Sequence, residues 1–123
     1  MEPIYPITAL QKKPAEVKAA AAEGIVRITE NGMGAKDVLA HGMVDDSYRI
    51  DYVRAHLQWL LRACEVGVSV GGYFIWSLMD MFSWTNGYNK RYGFFYVDFQ
   101  TQRRIPKASA YWFAQVARTG RLV

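Results

Sequence analysis

Glu30 closes a short apolar run, Ile25-Val26-Arg27-Ile28-Thr29, and is followed by Asn31-Gly32. A carboxylate at the end of a buried strand needs a partner or a task, because burying an unpaired charge is costly. A second apolar run ends in the segment Trp76-Ser77-Leu78-Met79-Asp80-Met81-Phe82-Ser83-Trp84. Indole faces stack on the C–H surfaces of sugars and carboxylates attack anomeric carbons, so Glu30, Trp76 and Trp84 fit a sugar site with a carboxylate nucleophile. The competing reading of Glu30 is a carboxylate that caps a helix or fixes a loop. Ser83, Lys90 and Tyr92 add a hydroxyl, an ammonium and a phenol within ten residues. A phosphate wants several donors and one cation, which these supply. Spacing alone leaves open the plainer alternative of a surface lysine beside a packed tyrosine.

The elements that must position these residues follow a strand-then-helix pattern. Pro14 and Gly24 bracket an alanine-rich helix, Pro suiting the first turn and Gly the position after the last. Ile25–Thr29 then reads as a short buried strand, with Val26, Ile28 and Glu30 on one face and Arg27 on the other. After a glycine-containing loop to about Val44, Asp46 is expected to cap a helix. That helix carries the apolar stripe Ile50, Val53, Leu57, Leu60, Leu61 and Cys64 and stops at Gly67. Val68–Trp76 is the second strand. Phe94–Phe99 and Arg103–Ile105 pair as a hairpin around residues 100–102, and Pro106 opens a last helix that ends at Gly120. Two apolar strands separated by a helix imply parallel pairing, and in such sheets chemistry gathers at the carboxyl ends of the strands. Glu30 and the Trp76–Trp84 segment both lie there. Of the aromatics between residues 73 and 99, Phe74, Phe94 and Phe95 are expected in the core.

Composition bounds the partners. The 123 residues are 51% apolar and 21% charged, enough for one ordinary core. The net charge of +4 is mild and forms no run that suggests nucleic acid. Lys90-Arg91 and Arg103-Arg104 flank an aromatic stretch, as a basic pocket for a small anion or a solvated surface would. No window approaches the ~18 unbroken apolar residues of a membrane span, and the first residues do not read as a signal peptide. Cys64 is the single cysteine, which fits a reduced, cytoplasmic setting, and its place on the helix stripe reads as a small core residue. His41 and His56 have no metal-ligand spacing, and neither a metal nor a cofactor is expected.

At this level of detail the chain resembles the family 1 glycoside hydrolases, retaining β-glycosidases on a (β/α)8 barrel. Ile28-Thr29-Glu30-Asn31-Gly32 is similar to that family's nucleophile motif at the end of strand seven. Asp45–Leu57 is similar to its seventh helix, and Gly72–Asp80 to strand eight and its exit. Val97-Asp98-Phe99, Thr101-Gln102, Arg104 and Pro106–Ala110 resemble the closing segment and final helix, while Ile4-Tyr5-Pro6 with Leu10 resembles the segment before helix six. Most of the family carries Glu where this chain has Ser83. Ser83 with Lys90 and Tyr92 resembles the phosphate-binding set of the 6-phosphoglycosidases, and Trp84 after the serine resembles the 6-phospho-β-galactosidase branch.

The resemblance implies Glu30 as nucleophile, Trp76 as the floor of the sugar subsite, Trp84 on the galactose side, and Ser83, Lys90 and Tyr92 on the phosphate. The implied substrate is a 6-phospho-β-galactoside such as lactose 6-phosphate. The alternatives are a 6-phospho-β-glucosidase, a broad β-glycosidase of the same family, or a catalytically incompetent remnant. Retaining hydrolysis needs a second carboxyl group, which the family takes from an Asn-Glu-Pro motif on strand four; Glu2-Pro3 matches it only superficially. A whole barrel needs at least ~200 residues, so 123 correspond to its carboxy-terminal quarter, a single partial domain. The chain is expected to need the amino-terminal part of a barrel, or an oligomer, to complete the site. Two positions depart from the pattern: Pro14 falls within the stretch that is helix six in the family, and Arg27 is expected on the helix-facing side of its strand.

Overall fold

The computed structural model describes residues 3–6, 9, 12–29 and 32–123, Thr29 by its backbone alone. They group into two compact units, one drawn from Met1–Asn31 and Arg54–Trp76, the other from Gly32–Val53 and Ser77–Val123.

In the first unit, strands β1 (Ile4–Pro6), β2 (Val26–Thr29) and β3 (Val70–Phe74) form a parallel sheet in that order. Parallel neighbours cannot be joined by a tight turn, and helices make the crossovers. Helix α1 (Pro14–Glu23) leads into β2, and α2 (Ser47–Glu65), of which the residues from Arg54 onward belong to this unit, leads into β3. Val17 and Ala21 of α1, Val26 and Ile28 of β2, Ala63 of α2 and Val68 form the buried core. Pro14 takes the first helical turn as expected, and the Gly24 N–H closes α1 on the Ala21 carbonyl at 3.3 Å. Opposite β2, the register slips between Val26–Val70 and Arg27–Gly72. Gly71 takes up the slip at a point where a Cβ would run into the Ile25 side chain.

Several expectations change here. β1 adds a third parallel strand, too short to announce itself by alternation. Val26 and Ile28, not Arg27, face the helices, so Arg27 lies on the exposed opposite face. The buried side of α2 passes through His56 and Ala63, whereas Leu61 and Cys64 are exposed. Cys64 is therefore not a core residue. Phe74 is exposed as well, because it points away from the α1–α2 core at the end of β3.

In the second unit, β4 (Phe95–Val97) and β5 (Arg104–Pro106) pair antiparallel, and α3 (Ala108–Thr119) follows. Phe94 is buried as expected and stacks on Phe113 at 5.1 Å, while Phe95 is half-buried. The turn is tied by the Asp98 carboxylate, which accepts the N–H groups of Gln100 at 2.9 Å and Thr101 at 3.2 Å. Pro106 ends β5 instead of opening α3. Asp46 takes the N-cap position of α2 as expected, its carbonyl accepting the Ile50 N–H at 3.3 Å, but its side chain works elsewhere. Its carboxylate accepts the Ser109 N–H at 2.8 Å and the Ser109 hydroxyl at 2.5 Å, so it caps α3, while Asp45 accepts the Ser47 N–H at the start of α2.

Candidate functional site

Residues 83–92 of the second unit are built around a tight reversal. Ser83 and Gly87 exchange both backbone hydrogen bonds, at 2.9 and 2.8 Å, across the three residues Thr85-Asn86 and Trp84 between them. Gly87 sits at φ +58°, the left-handed region that favours glycine. Inside the turn the Asn86 N–H donates to the Ser83 hydroxyl at 3.3 Å. The Asn86 amide nitrogen donates to the Tyr92 phenol at 2.7 Å and to the Thr85 hydroxyl at 3.0 Å. Ser83 and Tyr92 are thus held by one shared residue. Tyr92 also needs the glycine at 34, because a Cβ there would lie 2.5–2.7 Å from its ring and hydroxyl. Lys90 is exposed, and Trp84 is 98% exposed and meets the Phe82 ring edge-on, with the centroids 6.5 Å apart. Phe82, Tyr88 and Phe99 continue the aromatic contacts at centroid distances of 5.3 and 4.6 Å.

This loop is anchored from below by charge. Arg91, between Lys90 and Tyr92, exchanges two backbone hydrogen bonds with Ala35 at 2.7 and 3.0 Å. Its guanidinium bonds Asp80 at 2.7 Å and the Val97 carbonyl at 2.8 Å, and it stacks on Tyr96 at 3.8 Å. Asp80 also accepts the fully buried Lys107 ammonium at 2.7 Å, and Lys107 continues to Asp37 at 2.5 Å. Asp37 meets Arg49 at 3.2 Å, and Arg49 pairs with Asp46. Three carboxylates and three cations therefore alternate in a line, Asp46–Arg49–Asp37–Lys107–Asp80–Arg91, with no charge left over. Burial opposes the charge on Arg49, but Asp37 and Asp46 outweigh it and raise its pKa. Burial and the Asp37 carboxylate, which accepts the Tyr48 hydroxyl, push the Tyr48 phenol well up. Arg91 thus belongs to a buried ion-pair line and not to a basic pocket, whereas Arg103 and Arg104 are exposed.

The structure brings Ser83 and Tyr92 together, with Trp84 and Lys90 on the same loop. Trp76, two residues beyond β3 in the first unit, is 52% exposed. Glu30, next in sequence after β2, lies outside the described residues. Asn86 and Arg91 were missed by sequence reasoning. Asn86 looks like turn filler, and Arg91 like half of a basic pair. Among the described residues no group of His, Cys, Asp and Glu could hold a metal ion, and no helix is long and apolar enough to cross a membrane.

The family model described as glycosyl hydrolase family 1 matches residues 5–121. A protein of Streptococcus equi subsp. zooepidemicus named 6-phospho-beta-galactosidase is 60% identical over 94 residues, 76% of this chain and 20% of that protein. One of the same name from Clostridium acetobutylicum is 56% identical over 98 residues, 80% of this chain and 21% of its own length. The Thermotoga maritima β-glucosidase, solved in complex with glucoimidazole, superposes with a TM-score of 0.80 at 43% identity over 89% of this chain and 26% of that one. The same organism's family 1 glycoside hydrolase, complexed with a cyclophellitol analogue, gives a TM-score of 0.82 over 91% of this chain and 25% of that one. The chain therefore spans about a fifth of the length of the curated relatives it matches. Its strand and helix units are the carboxy-terminal portion of a (β/α)8 barrel, and the chain belongs to glycosyl hydrolase family 1.

Proposed function

We propose that this chain, within a complete barrel, hydrolyses 6-phospho-β-galactosides with retention of configuration. Glu30 attacks the anomeric carbon and forms a glycosyl-enzyme, which water then hydrolyses. The acid/base carboxyl, about 5 Å from the nucleophile in retaining enzymes, is assigned to the remainder of the barrel. Trp76 supports the sugar face and Trp84 the galactose side. Ser83, Lys90 and Tyr92 receive the phosphate, two hydroxyl donors and one ammonium.

The observation that carries this reading is Ser83, tied through Asn86 to Tyr92. A hydroxyl donates to a phosphoryl dianion where a carboxylate would repel it. The names of the Streptococcus and Clostridium relatives support the same substrate class. The β-glucosidase structures, at 43% identity, favour a gluco-configured substrate as the second reading.

The test joins this chain to the amino-terminal four-fifths of the Streptococcus relative, giving a joined barrel. Chromogenic 6-phospho-β-galactoside and 6-phospho-β-glucoside are assayed with it, and with this chain alone. Turnover by the joined barrel, preferring the galactoside, and none by the chain alone is expected. Glu30→Gln should abolish turnover; a variant that keeps it ends the nucleophile assignment. Preference for the glucoside would favour the second reading.

A further inference from the structure

We infer that Asn86 is a positioning residue for phosphate recognition: it sets the direction in which the Ser83 and Tyr92 hydroxyls donate. The inference rests on the phosphate reading above and explains how that site obtains its donors. A serine or tyrosine hydroxyl has one proton to give and oxygen lone pairs to accept with. Left to itself it rotates, and before a dianion it must be caught in the donating state. Here both oxygens already accept a hydrogen bond from the same residue. The Asn86 backbone N–H gives to Ser83 Oγ at 3.3 Å, and its side-chain Nδ2 gives to the Tyr92 oxygen at 2.7 Å. Neither nitrogen has a lone pair to take the hydroxyl protons back, so both O–H bonds point away from Asn86.

Thr85 lies beside both Asn86 and Ser83, and either hydroxyl of the Ser83–Thr85 pair can donate to the other. Its hydroxyl accepts the other Asn86 amide proton at 3.0 Å and lies 3.4 Å from Ser83 Oγ. With Thr85 donating across that gap, a second lone pair of Ser83 is occupied and its proton is again left for a ligand. Hydrogen bonds in such a chain polarise one another, so a donor held this way is a better one. The turn fixes Asn86 itself: Ser83 and Gly87 close it from both sides, and the Asn86 carbonyl accepts the Asn89 N–H at 3.0 Å. Asn86 is half-buried, as are Ser83 and Tyr92. An acceptor at this place would do the reverse, drawing the Tyr92 proton inward and presenting lone pairs to the phosphate.

The experiment uses the joined barrel and reads one ratio, kcat/KM for the chromogenic 6-phospho-β-galactoside over that for its unphosphorylated counterpart. Loss of folding lowers both values together and leaves the ratio in place. Asn86→Ala should lower the ratio about fivefold, the size of one neutral hydrogen bond, through KM and not kcat. Asn86→Asp, which keeps the shape but offers a charged acceptor, should lower it further than Asn86→Ala, by reversing the Tyr92 bond and by repelling the phosphate. If Asn86 acts through the phenol, Asn86→Ala added to Tyr92→Phe should cost less than it does alone. Lys90→Ala separates the two levels of argument. A ratio unmoved by Lys90→Ala overturns the phosphate reading itself. A ratio that collapses with Lys90→Ala and Tyr92→Phe but stays with both Asn86 variants keeps that reading and overturns the role of Asn86.

Discussion

Replacing Lys107 with methionine tests whether the buried ion-pair line holds the candidate phosphate loop in place. The side chain has no exposure, and its ammonium bridges Asp37 at 2.5 Å and Asp80 at 2.7 Å. Methionine fills much of the same space, so the perturbation is mainly electrical: the alternating line goes from neutral to one excess negative charge. Breaking a buried pair by removing one partner costs about 3–5 kcal/mol. The lower end applies here, because Asp80 retains Arg91 and two backbone N–H groups and Asp37 retains Arg49. At about 1.4 kcal/mol per factor of ten, 3 kcal/mol corresponds to roughly a hundredfold change in a local opening equilibrium. The direct reporters are the amides of Gly93 and Val97, whose N–H groups bond Asp80 at 3.0 and 3.3 Å. Their hydrogen-exchange protection in the joined barrel should fall by about two orders of magnitude in Lys107→Met. Adding Asp37→Asn, which restores neutrality and leaves the Asp80 acceptors of both reporters in place, should recover part of the loss. A drop below threefold in the single variant, or no recovery in the double one, would refute the claim that this line is energetically coupled to the loop.

Three further outcomes are expected. Ser83→Glu puts a carboxylate against the proposed phosphate; one pair of unit charges about 4 Å apart repels by about 4 kcal/mol at an effective dielectric of 20, so kcat/KM for the phosphorylated substrate should fall at least a hundredfold, and a change under tenfold would contradict the assignment. Gly34→Ala forces a methyl to within 2.5–2.7 Å of the Tyr92 ring and hydroxyl, so it should lower the same phosphorylated-to-unphosphorylated ratio as Tyr92→Phe without touching any ligand group. His56 is 8% exposed, and burial lowers its pKa from the usual 6.5, so the unfolded chain takes the proton more readily than the folded one. Its contribution is therefore complete above pH 6.5 and is lost as the pH falls toward the folded-state value, and urea unfolding midpoints of His56→Gln should show a weaker fall between pH 7.5 and 5.5 than those of the parent.

Much of the fold was legible because periodic patterns are local. The proline start of α1, the run of α2, the second strand and the closing hairpin all follow from residues within a few positions of each other. What failed depended on distant partners. Asp46 has the local signature of a cap for the helix that follows it, yet its carboxylate is used at Ser109, far along the chain. Arg91 reads as half of a basic pair, and nothing in the sequence marks Lys107 as buried, because no nearby acid announces Asp37 or Asp80. The α2 stripe holds at Val53 and Leu60 but not at Leu61 and Cys64: Cys64 is the more apolar-looking residue, but helix rotation is set by what packs on it, and Ala63 joins the buried cluster of Val26, Ile28 and Val68. β1 has three residues, too few for alternation to be visible.

The site shows the same division more sharply. Side chains that bear ligand chemistry, a hydroxyl, an ammonium, a phenol and two indoles, can be picked out by type. The residues that make those groups work cannot, because their role lies in which atom donates to which. Asn86 offers one amide and one backbone N–H, and a sequence gives no reason to prefer it over any other polar turn residue. Only the directed bonds to Ser83 and Tyr92 distinguish it. Exchanging its amide nitrogen for oxygen leaves size and turn propensity nearly unchanged while reversing the polarity of the Tyr92 bond and adding a negative charge. That is why Asn86→Asp, a substitution that pattern and volume both treat as mild, should cost this site more than the cruder Asn86→Ala.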